Sequence, residues 1–563
     1  MPETFNYSGR VEGIQTASRL PLHPGRIRFS GSPYNIEASG CQQDRGGYFM
    51  RTAARISLFT ATLMVLLAII LIHDLHLILT GAGWSPFSRS LSLFLVAVTA
   101  FGVIQFVSYA DHLLRSIYAY RPTAPQEPGA PTPPVAVFIP VYNEEPDVVE
   151  PCVRACTAID YPDFRIFLLD DSTDARRRSA MQDICRRYGL SYLHRDHRDG
   201  FKAGAINQAL LHLDAGTPYL LVIDADQRVK PEILADLVPI LEADPAVSFV
   251  QTPQFFRTEP HDPISVTFSY QQHIYNKHVC RGLSVNDTAM LTGSNCLFRA
   301  SHLAAVGGMD EACIAEDIAT SFVFHLRGRR GVFLDAVYAE GIAPPDLAAY
   351  FTQQLRWAYG NTQLLGTILR QLVAQPRSMT AAHWLEFLVT VSIYLLGGVN
   401  VVLFLLPVAT LLFGIPILPV WVPPAFAVVL VVVIAIQVIV SIRERQYSLH
   451  DLAFSQAIFN TLAFVYARAI WYAVSGKKLP FVVTPKVVPG PASRSRVRIG
   501  PVLLVIAAVL VSMAVGIVRA VSLGPDSGTV IPLFWACYTL AVLSSFLVVW
   551  RRDGRRVARK IAE

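Results

Sequence analysis

Apolar runs of bilayer length, roughly 20 residues each, recur at about 54–75, 91–110, 386–414, 420–442, 499–521 and 529–550. Between the second and third runs the pattern changes. Short, wholly apolar strands (Val135-Ala-Val-Phe-Ile, Phe164-Arg-Ile-Phe-Leu-Leu and Tyr219-Leu-Leu-Val-Ile) alternate with amphipathic helical stretches near 146–158 and 174–188. Strands without apolar/polar alternation are buried on both faces, which predicts a mainly parallel α/β sheet covered by helices. Two stretches, 346–372 and 451–475, mix polar residues with apolar ones at helical spacing and are expected to lie along a membrane surface.

Arginines flank the runs at 51, 55, 115, 443, 445, 551, 552, 555 and 556, whereas the connections 415–419 and 522–528 carry no Lys or Arg. Cytoplasmic loops are the ones that accumulate Lys and Arg, so both termini and the soluble part are expected on the cytoplasmic face of a multi-pass inner (plasma) membrane protein. The pattern predicts a disordered tail over 1–50, two transmembrane helices in 51–115, a soluble domain over 130–345, and interfacial helices over 346–385. Two spans in 386–442 follow, then an interfacial helix and loop over 443–490, two spans in 499–550 and a basic tail over 551–563. The first strong apolar run begins only near Ile56, behind a polar stretch, which is not the layout of a cleavable signal peptide.

Composition agrees, with 52% hydrophobic and 16% charged residues and a mean hydropathy of +0.40. The net charge of +6 is spread along the chain, which excludes nucleic acid as the expected partner. Eight cysteines without a CxxC read as reduced thiols.

Carboxylates stand at two strand ends, Asp170-Asp171 and Asp224-Ala225-Asp226. Either pair alone reads as turn and cap residues; together, at the ligand-binding edge of a parallel sheet, they can hold a hard divalent ion whose shell substrate oxygens complete. Lys202 lies in a glycine-flanked helix entrance suited to an anion, or is merely solvated there. Glu316-Asp317 opens a helix and is explained by the helix dipole, or else supplies a general base. Gln353, Arg356 and Trp357 share a helix face and either anchor the helix at the membrane surface or bind a diphosphate and a sugar ring.

In order along the chain, these residues resemble the D, DxD, TED and QxxRW series of the processive family 2 glycosyltransferases. The likeness is to bacterial cellulose synthase catalytic subunits in particular, with Ala315 in place of the Thr of TED. Val250-Gln-Thr-Pro253, Thr292-Gly-Ser-Asn295 and Phe481-Val-Val-Thr-Pro-Lys486 also resemble family motifs, although Leu291-Thr-Gly-Ser stands where cellulose synthases usually have Phe-Cys-Gly-Ser. The resemblance implies an α/β GT-A-type cytoplasmic domain inserted in a polytopic α-helical bundle of about six spans that forms a channel. It implies a UDP-sugar donor (UDP-glucose first), a growing β-glucan acceptor, the lipid bilayer and an accessory export subunit as partners, and Mg2+ (or Mn2+) as cofactor. By the same resemblance Asp317 is the base, while Asp170, Asp171, Lys202, Asp224, Gln353 and Arg356 bind the nucleotide sugar. Asp224 and Asp226 hold the metal, Trp357, Thr292, Gly293 and Ser294 meet the acceptor, and Phe481, Val483, Thr484 and Lys486 belong to a gating loop. A PilZ domain is not expected. Another β-glucan linkage, a mannan, and a hyaluronan- or chitin-like polymer stay open, as do a non-processive lipid glycosyltransferase and an inactive transporter or scaffold.

Overall fold

The computed structural model describes residues 45–81, 85–121, 131–257, 262–414, 448–479 and 497–562, together with helical positions 431, 435 and 439. The chain divides into two units, 1–48 and Phe49–Glu563. The first lies almost wholly outside the described residues, and with it most of the expected tail; all that follows concerns the second.

Its central sheet has seven strands in the order β3-β2-β1-β4-β8-β6-β9. The ranges are β1 Val135–Val141, β2 Phe164–Asp170, β3 Ser191–His194, β4 Tyr219–Val222, β6 Val247–Gln251, β8 Cys296–Arg299 and β9 Arg330–Phe333. A second sheet pairs β5 (Arg228–Val229) and β7 (Phe255–Arg257) with β10 (Ala339–Ile342). The large sheet is parallel except for β8, which runs antiparallel to both β4 and β6. Its central strands β1 and β4 are apolar throughout because alternate side chains feed opposite cores, whereas the edge strand β3 is partly exposed. Val135, Val137, Ile139 and Val141 enter one cluster with Val149, Met181 and Leu237, while Ala136 and Phe138 enter the other with Ile206, Phe249 and Phe324.

Six described helices are long and apolar enough to cross a membrane: Arg51–Thr80, Pro86–Tyr118, Leu395–Phe413, Leu449–Val474, Gly500–Leu523 and Gly528–Ala558. Two of them depart from the expected positions. The run 386–414 is not one helix, since Ala381–Ser392 ends before Leu395–Phe413 begins, and the first piece carries Glu386, buried against His112 (2.7 Å) and Asn286 (2.7 Å). Leu449–Val474, expected to lie along the membrane surface, has the length and composition of a span, although its hydropathy of 1.3 is the lowest of the six. The expected run 420–442 falls outside the described residues apart from its three helical positions. Residues 551–562, expected as a basic tail, continue the helix Ser527–Ala562.

The α/β domain is tied to helices on both sides of it in sequence. From the second helix, the Tyr120 hydroxyl donates to Phe333 O (3.1 Å) and accepts from Asp335 N (2.9 Å). From the last, Asp553 accepts the Leu347 N–H (3.2 Å), while Arg556 donates to Pro345 O (2.6 Å) and pairs with Asp262.

Candidate active site

The carboxyl ends of β1, β2 and β4 form one edge, and the candidate residues gather at the β4 end. Asp224 follows that strand, its backbone N–H donating to Ser294 Oγ (2.8 Å), which in turn donates to Gln227 Oε1 (2.7 Å). Lys202 Nζ donates to Asp224 Oδ1 and to Gly293 O, both at 2.5 Å. Lys202 arrives there because Gly200 caps its helix, Phe201–Leu211, in the left-handed region (φ +67°). A Cβ on Gly200 would lie 2.4 Å from Glu311 Oε2, so a larger residue there would strain the turn and push the Glu311 side chain aside. Burial works against the ammonium, but Asp224 and Glu316 reverse the balance and hold Lys202 above its ordinary value.

Asp226 is buried, and its Oδ2 accepts the Ile342 N–H (2.9 Å). With Asp224 partly exposed, the pair offers carboxylate oxygens to a hard cation such as Mg2+ or Mn2+. Among the described residues no group of three or more His, Cys, Asp or Glu is gathered to hold a metal, and two carboxylates alone leave most of a hard cation's oxygen shell to other donors.

Glu316 and Asp317 open the helix Glu316–Leu326, whose N-cap, Ala315, makes no side-chain cap bond. Burial raises Asp317 above the usual carboxylate range; burial, and then the Asp317 charge, push Glu316 up to about 7. Gly293, with φ +95°, passes so close to Asp317 that a Cβ there would lie 3.2 Å from Oδ2. The turn bearing Gly293 is locked to the Val-Gln-Thr-Pro segment: Thr292 N donates to Gln251 Oε1 (2.9 Å), and Gln251 Nε2 donates to Ser294 O (2.7 Å).

Helix Leu347–Ala374 brings Gln353, Arg356 and Trp357. Arg356 lies in the fields of Glu316, Asp224 and Asp317, which partly offset a burial that lowers its value. Gln353 is buried, with no partner for Oε1 among the described residues, while the Trp357 indole packs 6.5 Å from the Phe268 ring. A Cβ on Gly360 would lie 2.7 Å from Ala315 N, so this helix rests directly on the N-cap of the Asp317 helix.

Asp170 and Asp171 do not join that group. Asp170 accepts from Ser172 N and from the Tyr192 hydroxyl, both at 2.8 Å. Asp171 takes a two-pronged bond from Arg195 (2.8 and 2.5 Å), whose other donors hold Asp199 O and Phe201 O. Asp171 therefore positions the Lys202 turn through Arg195, a link no spacing in the sequence announces. Sequence reading also missed Gln354, wholly buried, which accepts from Tyr466 (2.7 Å) and donates to Gln271 (3.2 Å). Tyr275 was missed as well, its phenol raised by burial, then by Cys280 and Asp317; Tyr394, whose sequence context reads as packing or interface anchoring, lies within the field of Asp317. Phe481, Val483, Thr484 and Lys486 lie outside the described residues.

Residues 133–360 match the family model described as glycosyltransferase like family 2; this part of the chain is a glycosyltransferase family 2 domain. The chain is 30% identical over 260 residues to the UDP-forming cellulose synthase catalytic subunit of Pseudomonas fluorescens, a match covering 45% of this chain and 34% of that one. It is 27% identical over 379 residues to glucomannan 4-beta-mannosyltransferase 7 of Arabidopsis thaliana, covering 63% and 65%. The matches thus span less than two thirds of either relative. A solved mannosyltransferase from Pyrobaculum calidifontis, in complex with GDP-Man and Mn2+, is 21% identical with a TM-score of 0.45, covering 69% of this chain and 100% of that one.

Proposed function

We propose that this family 2 domain transfers glucose from UDP-glucose, with inversion, to the end of a growing β-glucan of the cellulose type. We further propose that it works at the cytoplasmic face of a plasma membrane and passes the product through its own helices to an accessory export subunit. The observation that carries this reading is the convergence of Lys202, Asp224, Asp317 and Arg356 where the sheet edge meets helix Leu347–Ala374. The UDP-forming cellulose synthase relative supports the donor and product.

In the reaction, Asp317 takes the proton of the acceptor hydroxyl as that oxygen attacks the anomeric carbon. The carbon–oxygen bond to the diphosphate breaks, and the leaving diphosphate keeps the bonding electrons. One such displacement converts an α-linked donor into a β-linkage. Lys202 and Arg356 stand where charge builds on the diphosphate, the kind of preorganised stabilisation that dominates many rate enhancements. Mg2+ or Mn2+ held by Asp224 and Asp226 would neutralise diphosphate oxygens. Asp170 and Asp171 take the uridine side, the second fixing the Lys202 turn through Arg195. Gln353, whose carbonyl oxygen lacks a partner among the described residues, takes a donor from the substrate, while Trp357 with Thr292, Gly293 and Ser294 borders the acceptor.

A GDP-mannose donor and mannan product form the second reading, favoured by the mannosyltransferase relative that aligns over more of both chains. The test is to incubate purified protein in lipid nanodiscs with Mg2+ and radiolabelled UDP-glucose or GDP-mannose, then digest the product with cellulase or mannanase. Long cellulase-sensitive product from UDP-glucose supports the first reading, and mannanase-sensitive product from GDP-mannose alone selects the second. Product formed equally well by an Asp317→Asn variant overturns both.

A further inference from the structure

A cavity of about 1320 Å3 opens among helices Leu347–Ala374, Leu449–Val474, Gly500–Leu523 and Ser527–Ala562. One part of its wall is apolar, with Phe351, Leu355, Phe464, Val465, Val502 and Phe546. The rest carries five cations, Arg356, Arg468, Lys477, Lys478 and Arg498, and no Asp or Glu stands among the described lining residues. Arg468 is half-buried, its guanidinium 5.3 Å from the Tyr472 ring and its Nε without a hydrogen-bond partner among the described residues. A donor withdrawn from water in this way costs stability unless an acceptor is supplied.

Three of the four helices have the length and composition of membrane spans. The cavity lies toward the ends that meet the α/β domain, because Phe546 shortly precedes Asp553, the acceptor for Leu347 N–H. Trp471, 62% exposed, also lines the cavity beside exposed Lys477 and Lys478. An aromatic ring next to lysines at a helix end is the signature of a bilayer–water boundary.

We propose that this cavity binds an anionic membrane phospholipid. The phosphate ester sits among Arg468, Lys477, Lys478 and Arg498, and the acyl chains lie along the Phe351–Phe464 wall. A soluble nucleotide would satisfy the cations, Arg356 among them, but leave that apolar wall exposed to water, whereas an amphiphile satisfies both halves. The binding claim does not rest on the catalytic reading.

The test uses delipidated full-length protein titrated with phosphatidylglycerol or phosphatidylcholine and read by native mass spectrometry. One Lys or Arg near an anionic surface is worth roughly fivefold in affinity, so losing two predicts a drop of about 30-fold. The wild type should prefer phosphatidylglycerol by at least that factor. Lys477→Gln combined with Lys478→Gln should lose it without a change in thermal unfolding, both side chains being exposed, and Arg468→Gln alone should lose about fivefold. Equal retention of the two lipids, or phosphatidylglycerol binding unchanged in both variants, overturns the proposal. Displacement of bound phosphatidylglycerol by saturating UDP would assign the cavity to the nucleotide and overturn it too.

Discussion

Replacing Gly293 by alanine isolates the contact between the Thr292–Asn295 turn and the candidate base. The backbone there has φ +95°, and an added methyl would lie 3.2 Å from Asp317 Oδ2. That is a few tenths of an ångström inside ordinary contact, so the carboxylate or the turn must give way. Holding a non-glycine residue in such a conformation costs about 1–3 kcal/mol. Gly307 provides the control, with φ +94° and nothing within 4 Å of its would-be Cβ. Gly293→Ala and Gly307→Ala should therefore lower the apparent Tm by similar amounts. Only Gly293→Ala should cut turnover, by about 10- to 100-fold, the range expected when a reacting group is displaced by an ångström or less. The assay is initial-rate polymer synthesis alongside thermal unfolding for both variants. Equal turnover in the two variants, at equal loss of Tm, would refute the idea that this turn sets the position of Asp317.

Asp317→Asn should lower kcat by about 100-fold or more. In the wild type the acid limb of kcat/KM should lie above the ordinary carboxylate range, because the base must be ionised and burial raises Asp317; an acid limb near pH 4 would count against it. Glu316 should lower stability as pH rises, since its folded value of about 7 lies above its ordinary 4.5. Its favourable contribution is complete below about 4.5 and lost as pH rises through about 7, so Glu316→Gln should flatten the Tm–pH curve across that window. Lys202→Gln should reduce kcat by about 100- to 1,000-fold, as removal of a preorganised donor does, measured by initial rates with nucleotide sugar near saturation. Arg556→Ala leaves buried Asp262 without its cation and should cost about 3–5 kcal/mol, seen as a lower Tm and faster hydrogen exchange around Leu347.

Strands β1, β2 and β4 were legible because a sheet covered on both faces leaves a continuous apolar record, and β1 sends alternate residues into two cores. The convergence of distant motifs was legible for a related reason, since strand ends and helix starts share one edge of such a sheet. What sequence spacing could not carry were long-range pairings. Glu386 looks like one charge in a long apolar run, and only His112 and Asn286, brought from elsewhere in the chain, show how that buried carboxylate is partnered. The resemblance implies a substrate role for Asp171, but nothing in the spacing announces its bond to Arg195. Tyr394 lies between two apolar helical pieces, and nothing local marks its nearness to Asp317.

The same buried polar pairs bear on how precisely Arg356 is held. Helix Leu347–Ala374 rests on Ala315 through Gly360, receives a bond from Tyr466 through Gln354 (2.7 Å), and sends one from Tyr350 to Gln271 (2.6 Å). A slide by one residue moves a helix about 1.5 Å along its axis. It would break both hydrogen bonds, and each buried group left unpaired costs about 1–3 kcal/mol. Apolar packing alone tolerates small slides, because one aliphatic contact replaces another at little cost. Glutamine–tyrosine pairs do not, so they fix a single register, and in that register Arg356 stands in the field of Asp317 and Asp224. If that is their role, Gln354→Leu with Tyr466→Phe should cost the fold no more than the lost Gln354–Gln271 bond, about 1 kcal/mol, because Tyr466 loses its donor together with its acceptor, yet lower kcat. A double variant with full turnover would show that packing around Gly360 suffices to hold the register.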